Sequence, residues 1–256
     1  MIDTHAHLCD PAFASDLPEV LARARAAGVE AIVAVGETLA DAERNLELAA
    51  AHPDLIRPAA GLFPTVLDAE QADRLIEWIR AHRAALAAIG EVGLDHWRVR
   101  EEPARDLQRE IFVRFIDLAV ELDLPLNVHS RAAGRATIDL LLARGARRVQ
   151  LHAFDGRAAS ALPAAEAGYF FSVPPSVVRS AQKQKLVRRL PVERLLLETD
   201  SPALAADPGA RNEPEQLRIS LAAIAELKDL DPAAVREITA ANARALYGDL
   251  AGSLSG

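Results

Sequence analysis

Residues 2–8 read IDTHAHL, two histidines one residue apart at the end of a short apolar start. In a β-strand the side-chain period is two, so His5 and His7 share one face while Thr4 and Ala6 take the other. Two imidazoles on one face can share a metal ion. A lone His-x-His also arises by chance, as one core histidine and one at a strand end. Its meaning therefore depends on where the other chemical residues of the chain fall.

Seven further strand-like runs follow, beginning at Val29 (VEAIVAVG), Ile56 (IRPAAGL), Leu86 (LAAIGEVGLD), Leu124 (LPLNVHS), Arg147 (RRVQLHAF), Gly168 (GYFFSV) and Arg194 (RLLLETD). Several are apolar on both faces, as parallel strands between a core and a helical layer are. Helical stretches separate them. Ser15, Asp16 and Pro18 start one that stops at Gly28. From Pro103 to Asp123, Ile111, Phe115, Leu118 and Leu122 form one stripe. Arg135–Gly145 and Pro175–Arg189 fill later crossovers, and Glu213–Lys228 and Pro232–Tyr247 follow the eighth strand, the last closing the outer layer or the base. Eight alternations predict a (β/α)8 barrel, an α/β fold, with residues 1–256 as a single domain. An open doubly wound sheet is the competing architecture.

The chemical residues separate the two. His5 and His7 end the first strand, Glu91 the fourth, His129 the fifth, His152 the sixth and Asp200 the eighth. Every one lies at a C-terminal strand end, the catalytic face of a barrel. Strands one and eight meet only if the sheet closes, so a shared site favours the barrel. Four imidazoles and two carboxylates exceed what one tetrahedral ion uses; two divalent ions would employ all six, with Glu91 suited to bridge them. Imidazole-rich ligation favours Zn, Mn, Ni or Co over Mg. Asp200 and Glu91 are the candidate catalytic residues, Asp200 as ligand and as acceptor of the proton of an attacking water. Glu198, two residues before Asp200 on the same strand face, and Asp95 are candidate partners that orient the ligands. His96, in the loop after the fourth strand, is a candidate substrate contact, whereas His52 and His82 read as helix-borne structural residues.

Bulk properties narrow the function. The 256 residues are 50% hydrophobic, enough to bury one substantial core. A net charge of −8 argues against wrapping long duplex DNA, which draws affinity from phosphate neutralisation. Its densest basic stretch, RSAQKQKLVRR from Arg179 to Arg189, reads as a solvated helix face or a patch at a site mouth. A single cysteine, Cys9, leaves any metal to His, Asp and Glu. With no basic, apolar leader after Met1 and no membrane-length apolar run, the expectation is a soluble cytoplasmic protein, monomeric or weakly oligomeric, without a membrane partner.

The motifs DTHAHL, GEVGLD, NVHSR, LHAFDG and LETDSPAL followed by RNEP resemble the TatD family of metal-dependent hydrolases, in the amidohydrolase superfamily. Longer stretches such as NVHSRAAGR, AGYFFSVPPS and RSAQKQKLV are most similar to the third TatD-domain-containing group of deoxyribonucleases. The resemblance spans nearly the whole chain. It implies a two-metal barrel with His5, His7 and Asp200 around one ion, His129 and His152 around the other, and Glu91 between. It further implies hydrolysis of DNA, often exonucleolytic from the 3′ end, or in some members of D-aminoacyl-tRNA esters. One departure stands out: the family's usual Gly-x-His-Pro after the third strand is GLFP here, with Phe63 in place of histidine.

Two enzymatic readings follow, a divalent-metal phosphodiesterase acting on DNA or other nucleic-acid ends, and a metal-dependent ester or amide hydrolase. Arg131, Lys183, Lys185 and Arg211 are candidate phosphate contacts for the first; Phe63, an apolar group at the site mouth, motivates the second. A binding or scaffold protein with structural metals is the non-enzymatic alternative.

Overall fold

The computed structural model describes residues 1–248 and 250. Each apolar run contains a strand: β1 (Ile2–Ala6), β2 (Ala31–Ala34), β3 (Ile56–Ala60), β4 (Ala88–Gly93), β5 (Leu126–His129), β6 (Val149–Leu151), β7 (Phe170–Val173) and β8 (Leu195–Leu197). All pair in parallel and in chain order. The helices are α1 (Leu17–Ala26), α2 (Leu39–Ala51), α3 (Ala69–His82), α4 (Glu102–Leu122), α5 (Gly134–Ala143), α6 (Ala158–Glu166), α7 (Ala181–Arg189), α8 (Leu217–Lys228) and α9 (Pro232–Tyr247).

The open-sheet alternative fails at one seam. Beyond the regular ladder, Asp200 donates its N–H to the His5 carbonyl at 2.9 Å, and His7 donates to the Ser201 carbonyl at 2.8 Å. Thr4 Oγ1 donates to the Leu197 carbonyl at 2.9 Å. The Asp3 carboxyl completes the seam: Oδ1 accepts from the Thr199 N–H at 2.9 Å, and Oδ2 lies 2.6 Å from Thr199 Oγ1. The first and last strand ends are thus tied together, and the sheet curls into a (β/α)8 barrel.

Two apolar layers follow from strand alternation. Ala31, Val33 and Val35 belong to an inner cluster with Ile2, Ala59, Ala88 and Leu196, while Ile32 and Ala34 belong to the layer between strands and helices. Leu246 and Tyr247 join the inner cluster, so α9 closes the barrel at its base. That resolves the two placements open to the last helix.

Three local expectations are refined. The segment Pro175–Arg189 is not one helix: Pro175–Arg179 makes a 3-10 turn, Ser180 is extended, and its hydroxyl accepts from the Lys183 N–H to start α7. A second 3-10 turn, Pro214–Gln216, precedes α8, which begins at Leu217 and not at Glu213. Between β6 and β7 lies α6, which Pro163 inside it conceals from sequence reading. Among the described residues no helix is long and apolar enough to cross a membrane.

Asp3 supplies the test of the seam. Asp3→Ala leaves the buried Thr199 and His5 N–H groups without their acceptor, an expected loss of about 2–4 kcal/mol in denaturant unfolding at one to a few kcal/mol per orphaned group. Burial also pushes the Asp3 carboxyl up to about 8. A raised folded value stabilises fully below the ordinary carboxylate range and fades as pH rises through 8. The stability difference between wild type and Asp3→Asn should therefore shift against wild type from pH 4 to pH 8.

Candidate metal centre

Six side chains from five strand ends converge at the C-terminal mouth of the barrel. His5 Nε2 and His7 Nε2 face each other at 3.2 Å. Asp200 Oδ1 stands 3.3 Å from His5 Nε2 and 3.5 Å from His7 Nε2. Glu91 lies on the other side, Oε2 3.3 Å from His7 Nε2 and 3.7 Å from His5 Nε2. Its second oxygen, Oε1, is 2.7 Å from His129 Nδ1 and 2.9 Å from His152 Nε2, and those two nitrogens are 3.3 Å apart. Glu91 therefore faces one pair of imidazoles with each oxygen. Two groups of donors could each hold an ion, His5 with His7 and Asp200, and His5 with Glu91 and His152. The ring of His5 stacks on that of His152 at 3.9 Å.

Local backbone features aim these side chains. The register of β1 slips between Asp3 and Ala6, and that of β4 between Ile89 and Val92, irregularities of the kind that redirect side chains at barrel rims. Gly93 lies opposite His129 with φ +147, and a Cβ there would collide with the His129 carbonyl oxygen. Only glycine accepts that approach.

Behind the ligands lies a polar layer. His5 Nδ1 donates to Asn127 Oδ1 at 2.8 Å, leaving Nε2 for the site. Asp95 Oδ2 is 3.2 Å from His129 Nε2, leaving Nδ1 for the site. Glu198 accepts from Ser172 Oγ at 2.6 Å and from the Ala153 N–H at 2.8 Å, with His152 Nδ1 3.6 Å away. Gln150 links Ser172 to the Tyr247 hydroxyl of α9, which accepts from Asn127. Sequence reading named Asp95 and Glu198 but missed Asn127 and Gln150. The available signal was a polar residue two positions before a histidine on each of two apolar strands, hence on the same face.

The donor set suits divalent cations. The Glu91 side chain is 2% exposed and Asp200 is buried, yet neither forms an ion pair with an arginine or lysine among the described residues. Among the described residues their ion-pair partners are imidazoles, and buried carboxylates require cations or donors. Burial opposes charge throughout, but hydrogen bonds to Asp200 and Glu91 hold His7 up to about 10. His129 is raised by Asp95 and Glu91, and His152 well raised by Glu91 and Glu198, against the same burial. In return, and again against burial, His152 and His129 keep Glu91 well below the carboxylate range, and His5 and His7 keep Asp200 low. The site is built to balance two carboxylates with positive charge. His152 Nδ1, buried and without a hydrogen-bond partner among the described residues, can keep its proton facing Glu198 while the Nε2 lone pair points into the site.

These groups floor a cavity of about 400 Å³, whose wall includes Phe63, Arg131, Lys183, Glu37, Asp10 and Asp155. Phe63 points inward, edge-on to His129 at 5.1 Å. Lys183 enters from α7 and donates to the Ala153 carbonyl at 3.1 Å. Three expected substrate contacts fall outside the cavity lining. Arg211 is outside the cavity, engaged by Asp16 and Glu213 and lying over the Phe13 ring. His96 is half-buried away from the cavity wall, its backbone held by Arg131 and Arg105. Lys185 is exposed beside Lys183 without reaching the cavity. Cys9 packs below Val35 with its thiol pushed up to about 12 by burial, and does not line the site.

Comparison with known proteins agrees with this picture. Residues 2–248 match the family model described as TatD related DNase. The chain is 42% identical to deoxyribonuclease TATDN3 of Homo sapiens, covering 96% of this chain and 94% of that protein. It is 36% identical to the uncharacterized metal-dependent hydrolase YabD of Bacillus subtilis, covering 96% and 98%. Among solved structures, the TatD homologue YJJV of Escherichia coli superposes with a TM-score of 0.89 at 28% identity, over 96% of this chain and 97% of that one.

The protonation pattern sets the response to metal. Ions bind imidazoles that have lost their ligating proton, while His7, His129 and His152 are all raised in the metal-free protein. Zn2+ or Mn2+ binding near pH 7 should therefore release protons, and affinity should climb as pH rises. Calorimetric titration in two buffers of different ionisation enthalpy reads the proton count; a count of zero would contradict this electrostatic account.

Proposed function

This chain belongs to the TatD-related DNase family, and from that premise we propose that it is a divalent-metal-dependent phosphodiesterase that trims DNA from a free 3′ end. We read two ions in the site, His5, His7 and Asp200 serving one, His129 and His152 the other, with Glu91 between. The observation that carries this reading is the paired presentation of Glu91, one oxygen toward His5 and His7 and the other toward His129 and His152. Divalent ions held there supply activation of water and neutralisation of charge on a phosphoryl oxygen.

The protein's own groups do the rest. Asp200, kept ionised by His5 and His7, accepts the proton of the attacking water. Asn127 and Asp95 fix which nitrogen of His5 and His129 turns inward. Lys183 on the wall and Arg131 at the mouth hold phosphate oxygens. The acidic wall of Asp10, Glu37 and Asp155 disfavours a long polyanion lying across the mouth and suits a strand end gripped at one phosphate. One free cysteine suits a reducing cytoplasm, where we place the protein as a monomer or weak oligomer.

A second reading rests on Phe63. Its ring lines the cavity where the family usually carries histidine, and an apolar wall favours an acyl or aromatic group over a phosphate. On this reading the protein hydrolyses esters such as D-aminoacyl-tRNA.

Cleavage of 3′-labelled single-stranded DNA, with added Mn2+ or Mg2+ and with chelator, tests the first reading. Chelator should abolish turnover. Glu91→Ala and Asp200→Ala should each lower it by about 10³-fold or more with the far-ultraviolet circular dichroism unchanged; full activity in both would sink the mechanism. Phe63→His should raise the ratio of DNA cleavage to aminoacyl-ester hydrolysis. A wild-type protein that hydrolyses the ester and leaves DNA intact selects the second reading.

A further inference from the structure

Trp97 lies two residues past Asp95 in the loop that follows β4, and it is 55% exposed. It is the one aromatic among the large exposed apolar side chains of the described residues; the others are aliphatic. Water contact over so much of an indole is costly, and a Trp with only a structural task is largely buried.

The loop that carries it is tied by a set of hydrogen bonds. Asp95 Oδ1 accepts from the Arg98 N–H at 2.7 Å, and the Val99 N–H returns to the Asp95 carbonyl at 3.0 Å. Arg105 reaches across to the carbonyls of Val99 and His96 at 3.0 and 3.3 Å. The Asp95 carboxyl that shapes this loop also contacts His129 through its other oxygen. The backbone on either side of Trp97 is thereby linked, through Asp95, to His129 of the candidate metal centre.

Charge is arranged around it. The guanidinium of Arg131 stands 5.3 Å from the indole centroid and that of Arg100 6.0 Å. Both lie over the ring at cation–π range, and the side chain nonetheless stays more than half exposed. Arg98, Arg100 and Arg131 are exposed and form no ion pair with a carboxylate among the described residues, although the chain carries net charge −8 and most of its other arginines are paired. Arg131 also lines the catalytic cavity. One side chain thus bridges the exposed indole and the place where the phosphodiester would sit.

We propose that Trp97 is a stacking platform for an unpaired nucleobase of the substrate strand, with Arg131, Arg98 and Arg100 holding the flanking phosphates. The inference rests on the nuclease reading above and narrows it to a single-stranded or frayed end, because a base inside a duplex has no free face to stack. Aromatic stacking combined with cationic side chains is the physical signature of single-strand binding, tolerant of sequence because every base has a π face.

Two octanucleotides test it, one of ordinary single-stranded DNA and one with abasic residues over its three 3′-terminal positions. Trp97→Ala should raise KM on the first by about 10-fold, leave kcat within about twofold, and change KM on the abasic strand little. Trp97→Phe should recover most of the loss. An unchanged KM, or an equal rise on both strands, overturns the platform. A separate readout needs no cleavage. In Trp78→Phe, Trp97 is the sole tryptophan, and its emission should be quenched by a phosphorothioate oligothymidylate in Mg2+ but not by its abasic counterpart. Quenching without cleavage by the wild type would keep the platform and overturn the nuclease reading; cleavage without quenching or any effect of Trp97→Ala would do the reverse.

Discussion

The hydrogen-bonded seam between the first and last strand ends is the constraint on which the rest of this protein depends. Asp200 donates to the His5 carbonyl and His7 donates to the Ser201 carbonyl, so the two ends of the candidate donor set are held by the same bonds that close the barrel. Asp3 and Thr199 lock the seam from within the protein, where no water can substitute for a lost partner. Fold closure and site assembly are one event here. A change that opens the seam separates His5 and His7 from Asp200 and so breaks up the one candidate donor group among the described residues that spans it.

Beneath the donors the barrel interior is divided by chemistry. Its lower part is apolar and sealed by α9, while its upper part is a connected polar layer of Asn127, Gln150, Ser172, Glu198 and the Tyr247 hydroxyl. Buried polar groups are tolerable only when partnered, and partnered groups are stiff. The layer therefore turns the helix at the base into a support for imidazoles at the mouth. Above it, carboxylates and imidazoles line the cavity, and Arg98, Arg100 and Arg131 lie exposed beside Trp97.

Much of this was legible in the amino-acid order. The eight apolar runs marked the strands because parallel strands covered on both faces must be apolar on both faces. The six donors stood out because each interrupts or ends such a run, where a buried charged or titratable group is costly unless it is partnered. Other residues misled for equally physical reasons. Arg211 reads as a candidate phosphate contact, but Glu213 two residues on and Asp16, far away in the chain, both engage it outside the cavity. His96 follows Asp95 directly, yet the tight turn that Asp95 organises sends Trp97, and not His96, outward.

The sequence by itself determined which donor side chains end the strands, since side-chain type and the period of two are properties of the local chain. Only the tertiary structure decided which oxygen of Glu91 faces which pair of imidazoles, that Phe63 and Lys183 turn into one cavity, and that Trp97 is presented beside Arg131. Those outcomes depend on register slips in β1 and β4, on close backbone approach at Gly93, and on bonds between residues far apart in the chain. Such contacts form only when the barrel closes, and no window of sequence contains both partners.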